Sequence, residues 1–274
     1  MTQAPQNSAL HDLPLQDQAD LLAAQIRRTP GDARLRVHLA QLSMVLGLWE
    51  RAVSQLQAAA QLDAAAIPMA QAYREAIRCE LIRERVFAGE LTAQTIGAPL
   101  PWQGLLAQAL SARAQGEQNR ADELQAEAYE GAAETPFQIN DSTAAWLADA
   151  DSRLGPTCEI LLNGQYYWLP FERIQTLEIE TPQDLRDLVW SAARLTLSNG
   201  GQHVVMIPSR YPLSHTLGND RLALSALTEW QALGDDSWAG FGQRTLVSDQ
   251  EEFALLSIRK IQSLAEAGAD EPQP

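Results

Sequence analysis

Residues 158–171 read CEILLNGQYYWLPF. Two apolar runs flank Asn163-Gly164, a dipeptide that tolerates the left-handed backbone of a two-residue hairpin turn. The stretch therefore reads as strand, turn, strand, and it sets the grammar of everything after it. IQTLEIE (174–180) suggests a further strand, and ARLTLSNGGQHVVMIP (193–208) a second hairpin around Asn199-Gly200-Gly201. Between them, TPQDLRDLVW (181–190) reads as a short helix begun by Thr181 with Pro182 at its first position. TLVSDQEEFALLSIRKIQSL (245–264) reads as two more strands around an acidic turn. Five of the seven tryptophans fall between Trp146 and Trp238, so this half is expected to be a compact, antiparallel, aromatic-rich unit.

Upstream the grammar changes. From Asp17 to about Tyr129, Ala, Leu, Gln, Glu and Arg dominate, and apolar residues recur every three or four positions. ARLRVHLAQLSMVLGLWERAVSQLQAAAQLDA (33–64) has the small-and-large spacing of a tetratricopeptide-like helix pair. Leu39 and Ala40 lie in its first helix, Gly47 makes the turn, and Ala52 and Ala59 stand where the helices must approach closely. WQGLLAQALSARAQGEQNRADELQAEAYEGA (102–132) repeats the pattern more weakly, with Ala109, Gly116, Ala121 and Ala128 at the small positions. A helix from Gln18 to Arg28 precedes the first pair, and another from Met69 to Phe87 follows it. The expected fold class is α+β in two parts: an N-terminal tetratricopeptide-like helical layer, then a compact antiparallel β-rich α+β domain. The expected division is an arm over 1–16, helices over 17–136, the β-rich domain over 137–265 and a tail over 266–274.

Composition narrows the function. The formal net charge is -15, and both halves are acidic, so the basic face that nucleic-acid phosphates require is missing. No apolar run approaches the ~18 residues of a membrane helix. The N-terminus carries no basic segment followed by an apolar core, so no secretory signal is read there. Cys79 and Cys158 lack metal-ligand spacing and read as buried reduced thiols.

Three sets of residues could carry chemistry. LADADSRLGP (147–156) places Asp149 and Asp151 beside Arg153. A calcium loop would continue with more acids and a final glutamate, whereas here an arginine is at hand to neutralise the pair. A turn leading into the first strand is the favoured reading. His203 and His215 are the histidines of this half, and neither has a ligand-spaced neighbour. DLRDLVW, PSRYP and GFGQR set Arg186, Arg210 and Arg244 near Trp190, Tyr211 and Phe241. Arginines beside aromatics suit a planar binding surface. The favoured reading is nevertheless internal pairing with Asp149, Asp151, Asp184, Asp187 or Glu229, which cross-links the loops around the tryptophan core. GFGQR is not a phosphate loop, since neither a lysine nor a helix start follows.

Taken in order, ADADSRLGP, NGQYYWLPF, DLRDLVW, IPSRYP, TEW and GFGQR resemble the ImpE/TagJ family of type VI secretion accessory proteins. GDARLRVHLAQL, GLWERA and RERVFAGE extend the resemblance into the first half, so that it covers about Ala19 to Ile261. Ala226-Leu227 stands where a basic residue would be expected before Thr228-Glu229-Trp230, on a segment taken as helical. The signature positions are Asp149, Asp151, Arg153, Arg186, Asp187, Trp190, Arg210, Tyr211, Glu229, Trp230, Gln243 and Arg244. The resemblance implies a non-enzymatic cytoplasmic adaptor without cofactor, metal or catalytic residues. It implies binding to the N-terminal segment of the small contractile-sheath subunit, and an influence on the AAA+ unfoldase that dismantles contracted sheaths. A layer of paired helices offers a groove for an amphipathic helix, with Leu39, Leu42, Leu46 and Trp49 as candidate contacts. Two rivals remain open: a hydrolase or metal-dependent enzyme using Asp149 and Asp151 with His203 or His215, and a scaffold or chaperone of another assembly.

Overall fold

Helix α1 (Leu15–Arg28) begins three residues earlier than the sequence suggests. The computed structural model describes residues 13–234 and 236–265. Most of the expected arm over 1–16, and the whole tail over 266–274, lie outside the described residues. Helix α2 (Ala33–Val45) starts where Asp32 accepts hydrogen bonds from the Arg34 and Leu35 amides, at 2.9 and 3.3 Å. It ends at Gly47, whose φ of 69° needs a residue without a Cβ. Helix α3 (Trp49–Leu62) then returns alongside it. Ala40, Ala52, Leu56 and Ala59 are wholly buried there, small side chains that let the helix axes close up. Helix α4 (Ile67–Phe87) is the longest, with a proline in its first turn. Helices α5 (Pro101–Ala114) and α6 (Gln118–Glu130) form the second pair around Gly116, with Ala109, Ala121 and Ala128 inside.

The first strand begins at Phe137. Eight strands form one sheet in the order β2 (Ser142–Ala144), β1 (Phe137–Ile139), β13 (Lys260–Ser263), β6 (Ile174–Ile179), β7 (Trp190–Leu197), β8 (Gln202–Pro208), β4 (Thr157–Leu162) and β5 (Gln165–Pro170). All its pairings are antiparallel. A three-stranded sheet holds β12 (Glu252–Ala254), β11 (Thr245–Ser248) and β3 (Leu147–Asp149), and β9 (Thr228–Ala232) pairs with β10 (Trp238–Gly242). Asn163 and Gly164 both take positive φ, 51° and 69°, as the hairpin reading requires.

Strand β4 is buried along its full length. Cys158, Ile160 and Leu162 enter a core shared with β6, β7, β8 and the three-stranded sheet. Leu161 points the other way, into a core that also holds Tyr166, Trp168 and Trp190 together with helices α1 to α5. A single apolar cluster thus runs from the helical layer into the sheet. Trp190 is its centre, with ring centroids 5.9 Å from Trp49 and 6.2 Å from Tyr73.

Four local expectations are corrected. Thr181 begins no α-helix; the turn is a 3-10 segment, Leu185–Leu188, capped by Asp184 and Asp187, because β7 must start at Trp190. Residues 245–264 hold three strands, not two. Leu147–Asp149 is itself strand, paired to Leu246–Ser248, so the stretch is more than an entry turn. Thr228, Glu229 and Trp230 lie in a β-ribbon, preceded by the short helix α7 (Asp220–Ala223).

The Gly47 turn gives a test. A Cβ there would meet the His215 ring at 2.0 Å in a backbone conformation that L residues avoid. Gly31 has open space around it. Gly47→Ala should therefore lose about 2–4 kcal/mol of stability, and Gly31→Ala less than about 0.5 kcal/mol, in denaturant unfolding.

Candidate functional site

Glu159 sits in the middle of the apolar strand TCEILL, on the same face as Leu161, and is wholly buried. The Arg83 side chain from α4 reaches it with two parallel bonds, Nε to Oε1 at 2.7 Å and Nη2 to Oε2 at 2.8 Å. Arg83 also bonds Glu80 at 2.9 Å and the Arg210 carbonyl at 3.0 Å. Tyr166 donates its hydroxyl to Glu159 and takes a bond from Trp168 Nε1 at 2.6 Å. Arg244 joins Glu159 to Asp149. Asp149 further accepts from Tyr211 at 3.0 Å and from the Asp151 amide at 2.9 Å. Glu80 accepts from Trp190 Nε1 at 3.0 Å. Two arginines and three carboxylates are thereby linked through the interior, spanning both halves of the chain.

The remaining signature residues have mostly structural surroundings. Asp151 holds Arg153 with Nε at 2.8 Å and accepts the Gly240 amide at 3.0 Å, while the Arg153 guanidinium lies 4.8 Å from the Phe87 ring centre. Arg186 pairs with Asp184 at 2.8 Å and covers Tyr73 at 4.9 Å. Asp187 accepts the Gln183 and Asp184 amides at 2.7 and 3.1 Å. Gln243 bonds the Ser225 carbonyl at 2.8 Å. Trp230 leans on Tyr211 at 5.6 Å and stays 38% exposed.

Two expected pairings are absent. Arg210 takes no carboxylate: it donates to the carbonyls of Met44 (3.0 Å), Val45 (2.7 Å) and Ala223 (2.6 Å), closing the C-terminal end of α2. Glu229 is exposed on the outer strand of the ribbon and forms no ion pair among the described residues. The sequence reading missed Glu80, Arg83 and Glu159. Its usable signal was a lone charge inside a strand that is otherwise apolar.

Electrostatics separate the two acids on Arg244. Burial raises the Glu159 pKa, but Arg83 and Arg244 outweigh it and hold the group at about 2. Burial pushes Asp149 up to about 7: Arg244 and the Asp151 amide oppose it, but the neighbouring Asp151 and Glu159 carboxylates add to it. Such a split can mark an acid–base pair, but it also arises in closed structural networks. Here both carboxylates are sealed from solvent, and the histidines of this half, His203 and His215, stand away from them. His215 lies edge-on to Trp49 at 5.4 Å, where burial lowers its pKa to about 4. His203 sits on β8 beside the Gly201 turn. Among the described residues no cluster of three or more His, Cys, Asp or Glu could hold a metal. Nor is any helix there long and apolar enough to cross a membrane.

The open surface lies elsewhere. Leu39 and Leu42 are 2% and 0% exposed, and Leu46 and Trp49 pack onto the shared core, with Trp49 Nε1 bonded to Glu84 at 3.3 Å. The stripe is thus part of the shared core, with Trp49 against Trp190 of the β-rich half, and it is not the open peptide contact expected from the sequence. On the far side of the first helix pair, α3 and α4 leave a groove of about 590 Å³. Val53 and Ala60 line one wall, and Ile67, Ile77 and Leu81 the other.

The network makes a sharp energetic statement. Glu159→Gln would leave Arg83 and Arg244 without their shared carboxylate, which should cost about 3–5 kcal/mol. The pH sign follows from the lowered pKa. Glu159 contributes stability above its unfolded value of 4.5, and that contribution fades as pH falls toward 2. Denaturant midpoints of wild type and Glu159→Gln should therefore draw together as pH falls from about 4.5 toward 2.

Comparison with known proteins agrees with this architecture. The family model described as ImpE protein matches residues 141–262. The "Type VI secretion system accessory component TagJ" of Pseudomonas aeruginosa is 44% identical over 247 residues, covering 90% of this chain and 86% of that protein. The crystal structure of protein VPA1032 from Vibrio parahaemolyticus superposes with a TM-score of 0.84 at 25% identity, covering 92% of this chain and 94% of that one. The chain belongs to the ImpE/TagJ family of type VI secretion accessory proteins.

Proposed function

We propose that the protein is a non-enzymatic adaptor of a type VI secretion system, working in the cytoplasm. It binds the N-terminal segment of the small contractile-sheath subunit and modulates recycling of the sheath by the AAA+ unfoldase. One observation carries this reading. The side chains capable of chemistry are paired with one another inside the fold, while the helical layer leaves an apolar groove open. Reaction at Asp149 or Asp151 would need a cavity that admits a substrate, whereas both are buried and engaged by Arg244, Tyr211 and Arg153. The naming of the Pseudomonas aeruginosa relative as a type VI secretion system accessory component supports the choice of machinery. Adaptors of this kind recognise a helix by laying its apolar face into a preformed groove.

Co-purification from a lysate containing the secretion apparatus tests the reading directly, using the full chain because its halves share one core. The small sheath subunit should be retained, and deleting its N-terminal segment should abolish retention. Adding the adaptor should also change the rate at which the unfoldase dismantles assembled sheaths. Equal retention of the truncated subunit, or an unchanged rate, would contradict the respective part.

A further inference from the structure

The groove between α3 and α4 has a definite length, chemistry and charge. Along α4 the apolar part of its wall is Ile67, Ala70, Ile77 and Leu81, with Gln71, Arg74, Glu75 and Arg78 beside them. Steps of three and four residues keep these on one face of the helix. The fourteen steps from Ile67 to Leu81, at 1.5 Å each, make the stripe about 21 Å long, roughly four helical turns. Ile67 and Leu81, at its two ends, are 49% and 45% exposed. These are large aliphatic groups left in water at the open ends of a concave apolar strip.

The groove selects against an extended peptide. Its walls are two helices whose own backbone groups are hydrogen-bonded along the axis, so they offer no ladder to a strand. A chain lying there extended would press unpaired amides and carbonyls against Val53, Ala60 and Ile77. A helix brings its backbone bonds already made.

Charge sets the flank of that helix. Arg74 and Arg78 stand one turn apart on the lip, with Glu75 between them, leaving a local excess of positive charge in a protein of net charge -15. Arg78 is anchored by its bond to the Gly164 carbonyl at 2.7 Å, at the tip of the β4–β5 hairpin, so its guanidinium is held in place at the lip.

We infer that this groove docks an amphipathic helix of about four turns, with aliphatic side chains on its buried face and carboxylates along one flank facing Arg74 and Arg78. The inference rests on the adaptor reading and names the chemistry of the partner segment. A second copy of this chain, as an alternative occupant, would reveal itself as concentration-dependent dimerisation.

The test uses the full chain and two synthetic helical peptides of about 18 residues. They share one leucine- and alanine-built apolar face and carry either glutamates or lysines on the flanks. Fluorescence anisotropy should show the glutamate peptide binding at least about tenfold more tightly than the lysine peptide. Leu81→Asp and Ile67→Asp should each weaken it by at least about tenfold, and Arg74→Glu with Arg78→Glu should reverse the preference. Far-ultraviolet circular dichroism of these surface variants should match wild type. Equal binding of the two peptides, indifference to the groove substitutions, or dimerisation lost in Leu81→Asp would overturn the assignment. The same variants, assayed for retention of the small sheath subunit, separate the two ideas. Retention by wild type and variants alike rejects the groove and keeps the adaptor; loss in the groove variants alone supports both. No retention by wild type, with the glutamate peptide still bound in the groove, rejects the sheath partner and keeps the docking chemistry.

Discussion

The bidentate bond from Arg83 to Glu159 is the constraint on which the rest of the structure depends. Two wholly buried charges, one on a helix and one on a central strand, cannot be separated without leaving each stranded in an apolar interior. The position of α4 over the sheet is therefore fixed to within a hydrogen bond. Around that contact the other inward arginines find partners in turn: Arg244 between two acids, Arg210 on the end of α2, Arg186 over Tyr73. The aromatic rings of Trp49, Tyr73 and Trp190 fill the space between them.

This arrangement gives α4 two functional faces. One face carries Glu80 and Arg83 into the ionic network. The other carries Ile67, Arg74, Arg78 and Leu81 to the open groove. A helix clamped along its inner face presents its outer stripe rigidly, which lowers the conformational cost of receiving a partner. The β-rich half, through Glu159 and Trp190, then acts as the support that holds α4 in shape.

Much of this was legible in the sequence, and the gaps have physical causes. The Asn163-Gly164 hairpin, the Gly47 turn and the alanine-lined helix pairs each depend on local backbone or steric rules, and each was read correctly from neighbouring residues. The short strands Phe137–Ile139, Ser142–Ala144 and the β9–β10 ribbon were not, since three to five residues carry too little periodicity to stand out. Local sequence also could not show that Leu39, Leu42 and Trp49 belong to a core shared by both halves. Their apolar stripe has the same pattern whether a partner protein or the chain's own core buries it. Inward use of Asp149, Asp151, Arg186 and Arg244 was anticipated, but Glu159 and Arg83 were overlooked, because their sequence separation hides a contact that only the tertiary fold creates.

If the Arg83–Glu159 bond does join the helical layer and the sheet into one cooperative body, hydrogen exchange during denaturant titration is the direct measurement. Amides of α4 and of β4 should lose protection at the same denaturant concentration, with a common free energy of opening. Earlier opening of the whole helical layer, while β4 to β8 remain protected, would contradict it.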